Sequence, residues 1–217
     1  PDSPNNPAPY NGENAVSTSH NLNVDVSDPD GDSMDVDFYL DDGGGYSYEG
    51  TDYSVCSGCS ASVNPSLTTG TTYDWYAVAD DGSETTQSST WSFTTVHEPN
   101  QPSNPEPFNG EEDVAASHNL YTDVSHPDGL SMDVDFYVDD GSGYSYVGTD
   151  SGVADGGTAS INPSLSSGTN YGWYAVAKAD GHSTQSPNWG FTTNYVPSVD
   201  SISKTDSSSD HTFDSVS

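Results

Sequence analysis

An all-β fold is predicted, with two tandem seven-stranded antiparallel β-sandwiches and a short C-terminal strand segment. Three observations predict it. Apolar residues alternate with polar ones at a period of two, as they must when one face of a strand is buried and the other is wet. Clusters of Gly, Asp, Asn and Pro punctuate that alternation. The sequence also repeats: shifted by 98 it falls on itself without a gap, and 59 of 98 positions are identical. A unit of this length is too long for a solenoid repeat and fits one small domain. No window carries helical periodicity.

The strands follow in order. A short, less regular strand lies near Ala15–Thr18. Leu22, Val24 and Val26 alternate with Asn23 and Asp25, and the turn Asp28-Pro29-Asp30-Gly31 follows. Met34, Val36, Phe38 and Leu40 then alternate with Asp35, Asp37 and Tyr39, up to the turn Asp41-Asp42-Gly43-Gly44-Gly45. Less regular strands cover Tyr46–Thr51 and Ser60–Asn64. Tyr73, Trp75 and Ala77 alternate with Asp74, Tyr76 and Val78 before Asp80-Asp81-Gly82, and Trp91 and Phe93 alternate with Ser92 and Thr94. Seven short strands, each with one apolar face, make a sandwich. The second copy repeats them, with Ser131 to Tyr137 restating Ser33 to Tyr39.

Residues 1–96 are therefore read as the first sandwich and 97–196 as the second. The joint from Val96 to Pro105 is stiffened by its prolines. Past Pro197 the repeat fails. Residues 197–217 carry Val199, Ile202, Phe213 and Val216 at strand-like positions. They read as a partial third domain or as a tail donating a strand to another chain's open sheet edge. The chain opens at Pro1 without a Met, which reads as a processed or excised fragment.

Charge narrows the function. Lys and Arg together number 2 against 34 Asp and Glu, a net charge of −32. Both bases are lysines, Lys178 and Lys204. Phosphate clamps, nucleic-acid grooves and contacts with anionic lipid all need clustered basic residues, so none is expected. No stretch is long and apolar enough for a membrane helix, so no membrane insertion is expected. Leu, Ile, Val and Phe number only 32, a count that with this charge would ordinarily mean disorder. The alternation, and the bulk of 14 Tyr and 4 Trp, argue for a folded chain. A small core under an acidic, Lys-poor surface resembles, in composition, haloarchaeal proteins. There dense carboxylates hold water while molar salt screens their repulsion over about 3 Å.

The segment Leu67-Thr68-Thr69-Gly70-Thr71-Thr72-Tyr73-Asp74-Trp75-Tyr76-Ala77-Val78 resembles the tyrosine corner and following strand of fibronectin type III domains. Leu165 to Val176 repeats it, with Tyr171 as the corner. Trp91-Ser92-Phe93-Thr94-Thr95 and Trp189-Gly190-Phe191-Thr192-Thr193 resemble that family's last strand. The resemblance covers residues 1 to 196, and immunoglobulin-like domains share the corner. Where the family carries a Trp in its second strand, this chain has Leu22-Asn23-Val24. The resemblance implies extracellular spacer and adhesion modules without catalysis, here of secreted haloarchaeal surface proteins.

Four carboxylates, Asp28, Asp30, Asp32 and Asp35, form a Ca²⁺ candidate in the first repeat, since Ca²⁺ takes six to eight hard oxygens. The second repeat reads Ser125-His126-Pro127-Asp128-Gly129-Leu130. A plain turn explains what both copies share, and calcium explains only the first. No other cofactor is expected. Cys56-Ser57-Gly58-Cys59 lacks the helix and parallel sheet of a redox site and the further ligands of a zinc site, so a local disulfide is expected. The histidines, at 20, 97, 118, 126, 182 and 211, are scattered, and only His20 and His118 are equivalent. No nucleophile triad follows from them, and the chain is read as not an enzyme.

Tyr39 and Tyr76 point outward if Phe38 and Trp75 point inward, and so do Tyr137 and Tyr174. Such pairs serve as a binding surface for sugars or proteins, or merely brace their own sheet. Tyr46, Tyr48, Tyr144 and Tyr146 add surface tyrosines. Asn64-Pro65-Ser66 and Asn162-Pro163-Ser164 are disqualified as sequons by their prolines.

These readings converge on a non-catalytic structural and adhesive repeat, extracellular or on the cell surface of a halophile, in a surface protein or filament. Its expected partners are other protein subunits, in head-to-tail or strand-donating assembly, or surface glycans. The alternatives are an accessory carbohydrate-binding or Ca-binding module pair of a secreted hydrolase, and a segment of a viral tail or spike.

Overall fold

The computed structural model describes residues 1–195. The readings made for 197–217 lie outside the described residues.

The first repeat contains β1 (Asn5–Ala8), β2 (Glu13–Val16), β3 (Leu22–Val26), β4 (Met34–Asp41), β5 (Ser47–Val55), β6 (Cys59–Val63), β7 (Thr72–Asp80), β8 (Thr85–Gln87) and β9 (Trp91–Thr95). The second contains β10 (Ser103–Glu106), β11 (Glu111–Val114), β12 (Leu120–Asp123), β13 (Met132–Asp139), β14 (Ser145–Val153), β15 (Thr158–Ile161), β16 (Asn170–Ala179), β17 (His182–Gln185) and β18 (Trp189–Thr193). All seven predicted strands of each repeat are present. Two more join them, β1 and β8 with their copies β10 and β17. Both are short and polar, and neither shows the alternation that marks a half-buried strand.

Each repeat is a sandwich of two sheets. In the first, a three-stranded sheet runs β1-β3-β6, and a larger one runs β2-β9-β7-β4-β5 with β8 paired to β7. The chain crosses between sheets from β3 to β4 and from β6 to β7, which encloses the apolar faces. Pairing is antiparallel except for β2 with β9, which is parallel. The second repeat copies the scheme, β10-β12-β15 against β11-β18-β16-β13-β14.

The alternation read from the sequence becomes the core. Leu22, Val24, Val36, Phe38, Trp75 and Ala77 are fully buried. Phe38 and Trp91 flank Trp75, with ring centroids at 6.4 Å and 4.9 Å. Phe136, Trp173 and Trp189 repeat this at 6.2 Å and 4.7 Å. A fully buried aromatic of this kind contributes roughly 3 kcal/mol or more. The corner closes as its residues predict: Tyr73 Oη accepts the Thr68 N–H at 2.9 Å, and Tyr171 Oη the Ser166 N–H at 2.8 Å.

One irregularity positions the outer face. Phe38 pairs with Gly50, but Tyr39 pairs with Tyr48, so Glu49 is an extra residue in β5. Without this bulge Tyr39 would face Glu49. The second repeat bulges at Val147, pairing Phe136 with Gly148 and Tyr137 with Tyr146. Glycine is required beside the bulge. Gly50 and Gly148 both have φ +150, a backbone conformation that residues with a Cβ rarely adopt.

Candidate functional site

The outward positions of β4 and β7 lie directly opposite one another. Tyr39 pairs with Tyr76, Asp41 with Asp74, Asp37 with Val78 and Asp35 with Asp80. The Tyr39 and Tyr76 rings stack with centroids 5.0 Å apart and planes at 16°. Tyr48 meets Tyr39 edge-on at 5.8 Å, and Tyr46 meets Tyr76 at 4.8 Å. The four rings form one cluster whose centre, Tyr39 and Tyr76, is half-buried while Tyr46 and Tyr48 are exposed. The second repeat rebuilds it: Tyr137 on Tyr174 at 4.8 Å, with Tyr146 and Tyr144 at the rim. Alternation reveals the central pair. The rim depends on the bulge, for which the sequence carries no signal.

The cluster is tied to a carboxylate. The Tyr48 hydroxyl lies 2.5 Å from Thr51 Oγ1, and Thr51 Oγ1 donates to Asp37 Oδ1. In the second repeat Tyr146 bonds Thr149 at 2.7 Å, and Thr149 donates to Asp135 Oδ1 at 2.6 Å. There the other oxygen, Asp135 Oδ2, accepts from the Lys178 ammonium. Burial pushes the Tyr39 phenol above its ordinary value, and the Asp37 charge and the neighbouring Tyr76 and Tyr48 hydroxyls add to the shift. Burial does the same to Tyr174, with Tyr137 and Tyr144 contributing. Burial alone would raise Asp135, but the hydrogen bonds from Lys178 and Thr149 outweigh it and hold the carboxyl below its ordinary value.

The structure does not bring the four calcium candidates together. Asp28 is buried, and its Oδ1 accepts the N–H groups of Asp30 at 2.8 Å and Asp32 at 3.2 Å. It therefore shapes the turn. Asp30 and Asp32 are exposed. Asp35 faces the other way along β4 and takes the Ser54 N–H at 2.9 Å. Among the described residues no three His, Cys, Asp or Glu side chains are grouped to hold a metal ion. Cys56 and Cys59 are joined in a disulfide across the turn between β5 and β6. His20 and His118 each place Nδ1 2.5 Å from the carbonyl of the next residue. No helix among the described residues is long and apolar enough to cross a membrane.

Sequence reasoning also missed a contact at the joint between the repeats. The His97 N–H donates to Asp128 Oδ2 at 2.7 Å, and His97 Nδ1 lies 2.9 Å from Asp128 Oδ1. The same imidazole lies against Gly70, where a Cβ would meet His97 Cδ2 at 2.8 Å. A lone His in a linker, far in sequence from an Asp in a turn, gives no local pattern to read.

No known family model matches the sequence, and no curated protein matches it. Among solved structures, the chain is similar to the FN1-FN3 domains of chicken CNTN1, at 11% identity and a TM-score of 0.36, over 89% of this chain and 68% of that one. It is similar to the BSP domain of a biofilm associated protein, at 16% identity and a TM-score of 0.30, over 90% of this chain and 30% of that one. It is also similar to the chicken interferon gamma receptor alpha chain, at 14% identity and a TM-score of 0.35, over 89% of this chain and 99% of that one.

Proposed function

We propose that this chain is a non-catalytic structural and adhesive repeat pair of a secreted or cell-surface protein of a halophile, and that its tyrosine faces make its contacts. The observation that carries the reading is the duplicated four-tyrosine cluster on the outward face of the larger sheet in both repeats. Tyrosine supplies broad, rigid contact area at low entropic cost, which suits protein interfaces. A protein partner is favoured over a glycan. Tyr39 and Tyr76 spend a ring face on each other, and Tyr48 and Tyr46 meet them edge-on, so the cluster is a broken surface rather than the flat platform that suits a sugar ring. The halophile setting rests on the net charge of −32, which molar salt would screen.

The test is association in molar NaCl, read by analytical ultracentrifugation and by electron microscopy of native material. Wild type is expected to assemble, and a variant with serine at positions 46, 48, 144 and 146 is expected to remain folded and dissociated. A glycan array run at the same salt is expected to be blank. Unchanged assembly in the variant, or sugar binding that the variant loses, would sink the reading.

A further inference from the structure

The two repeats present the same outward face with two chemical differences between β7 and β16. In the second, Asp133 stands opposite Lys178 and Asp139 opposite Gly172. In the first, the equivalent pairs are Asp35 with Asp80 and Asp41 with Asp74, carboxylate against carboxylate. Like charges directly opposite on a sheet repel. The second repeat relieves the repulsion with an ammonium, and the first has no Lys or Arg at all.

What remains in the first repeat is the receiving half of that ion pair. Asp37 keeps the place of Asp135 and takes the same Thr51 hydroxyl on Oδ1, and Thr51 keeps its Tyr48 partner. Asp37 Oδ2, the atom equivalent to the one that receives Lys178, has no hydrogen-bond donor among the described residues. Tyr39 and Tyr48 stand where Tyr137 and Tyr146 stand, the two rings that neighbour the Lys178 ammonium in the second repeat. Carboxylates together with aromatic rings attract an organic cation, through charge and through the ring quadrupole.

We propose that the outward face of the first repeat is a binding site for a primary alkylammonium group, held by Asp37 with Asp35 and Asp80 beside it and Tyr39 and Tyr48 as its wall. Lys178, seated on Asp135, is the protein's own example of the ligand. An ammonium has three donors and no acceptor, which matches a site whose open polar atoms are carboxylate oxygens. The proposal rests on the tyrosine face being the contact surface and specifies its partner: a cationic side chain or amine rather than an apolar patch. Two sources share this chemistry, a lysine side chain on a polypeptide and a free amine. Lys204, the other lysine of this chain, is one such side chain when carried by a second copy.

The test is a chemical-shift titration of the full chain with n-butylammonium, N-acetyl-lysine amide and spermidine, with NaCl held constant. Shifts are expected at Asp37, Thr51, Tyr39 and Tyr48 and not at Asp135, Thr149, Tyr137 and Tyr146. Asp80→Lys should weaken binding by about tenfold or more by supplying the ammonium internally, and it should not unfold the protein. Lys178→Ala should open a matching site in the second repeat. A stronger response to the lysine amide than to butylammonium and spermidine identifies a polypeptide lysine, and loss of self-association in Lys204→Gln then identifies a second copy. The reverse order identifies a free amine. Equal shifts in both wild-type repeats, shifts spread over the acidic surface, or unchanged binding in Asp80→Lys would overturn the proposal. If the ammonium response fails while the serine variant still dissociates the assembly, the contact face stands and only this assignment falls.

Discussion

His97, in the joint after the first sandwich, is tied to Asp128, in the turn between β12 and β13 of the second, through two hydrogen bonds to one carboxylate, at 2.7 Å from the backbone and 2.9 Å from the ring. Burial alone would raise the Asp128 carboxyl, but the hydrogen bonds from His97, with the charges of His97 and His126, outweigh it and hold it below its ordinary value. Its contribution is therefore complete above the ordinary carboxyl value near ~3.9 and is lost as pH falls through the lower folded value. Asp128→Ala should remove about 1–2 kcal/mol from this joint. Small-angle scattering should register a wider distribution of interdomain distances, with each sandwich melting within about 0.5 kcal/mol of wild type.

Lys178 and Asp135 give the second sandwich a pair that the first lacks. The Lys178 value is raised, chiefly by its hydrogen bond to Asp135, and the Asp135 value is lowered. The carboxylate stabilises the fold fully above its ordinary value and stops doing so as pH falls through the lowered one. The ammonium stabilises fully below its ordinary value near ~10.4 and stops as pH rises through the raised one. Lys178→Ala should cost the second sandwich about 1 kcal/mol, since about half of the Lys178 side chain is solvent-exposed and the pair is screened. Calorimetry across pH should show that loss as a plateau between the two limits.

Salt should act unequally on the two repeats. Opposed pairs Asp35–Asp80 and Asp41–Asp74 belong to the first only. Both melting transitions should rise from near-zero to molar NaCl, and the first should rise more steeply. Asp80→Lys should flatten the first transition's dependence. Parallel salt curves before and after that substitution would refute the account.

The tyrosine corners should be worth about 1–2 kcal/mol each. Tyr73→Phe leaves the Thr68 N–H without its 2.9 Å acceptor, and Tyr171→Phe does the same to Ser166 at 2.8 Å. Chemical denaturation of the two single variants should show similar losses in different domains, additive in the double variant.

Much of this was legible in residues. Alternation along Met34 to Leu40 and Tyr73 to Val78 places Phe38 and Trp75 inside and Tyr39 and Tyr76 outside, because side-chain direction in a strand has a period of two. β1 was not legible because polar bonds rather than an apolar face hold it: Asn6 Nδ2 donates to Asp25 Oδ2 at 2.9 Å. β8 is three residues long and leaves no pattern. The rim tyrosines and the Asp37–Thr51–Tyr48 chain depend on one inserted residue, Glu49, and a register is a property of two strands together. The acidic turn left two readings open in sequence, a plain turn and a calcium loop. Its Asp residues look like ligands in a row, but Asp28 turns inward to hold its own backbone and Asp35 leaves along the next strand.

The bulged strands β5 and β14 are also the last strands of their sheets. Each departs twice from regular pairing, near Glu49 and Ser54 in one and near Val147 and Gly152 in the other. A straight, open strand edge invites a foreign strand to zip onto it, and the kinked edge denies it a continuous row of partners. Charge repulsion also keeps such molecules apart in dilute buffer, but brine erases it. A defence made of backbone geometry is indifferent to ionic strength. The interruption that seats the tyrosine rim thus doubles as a safeguard against fibrous clumping where the protein's 32 surplus negative charges no longer help.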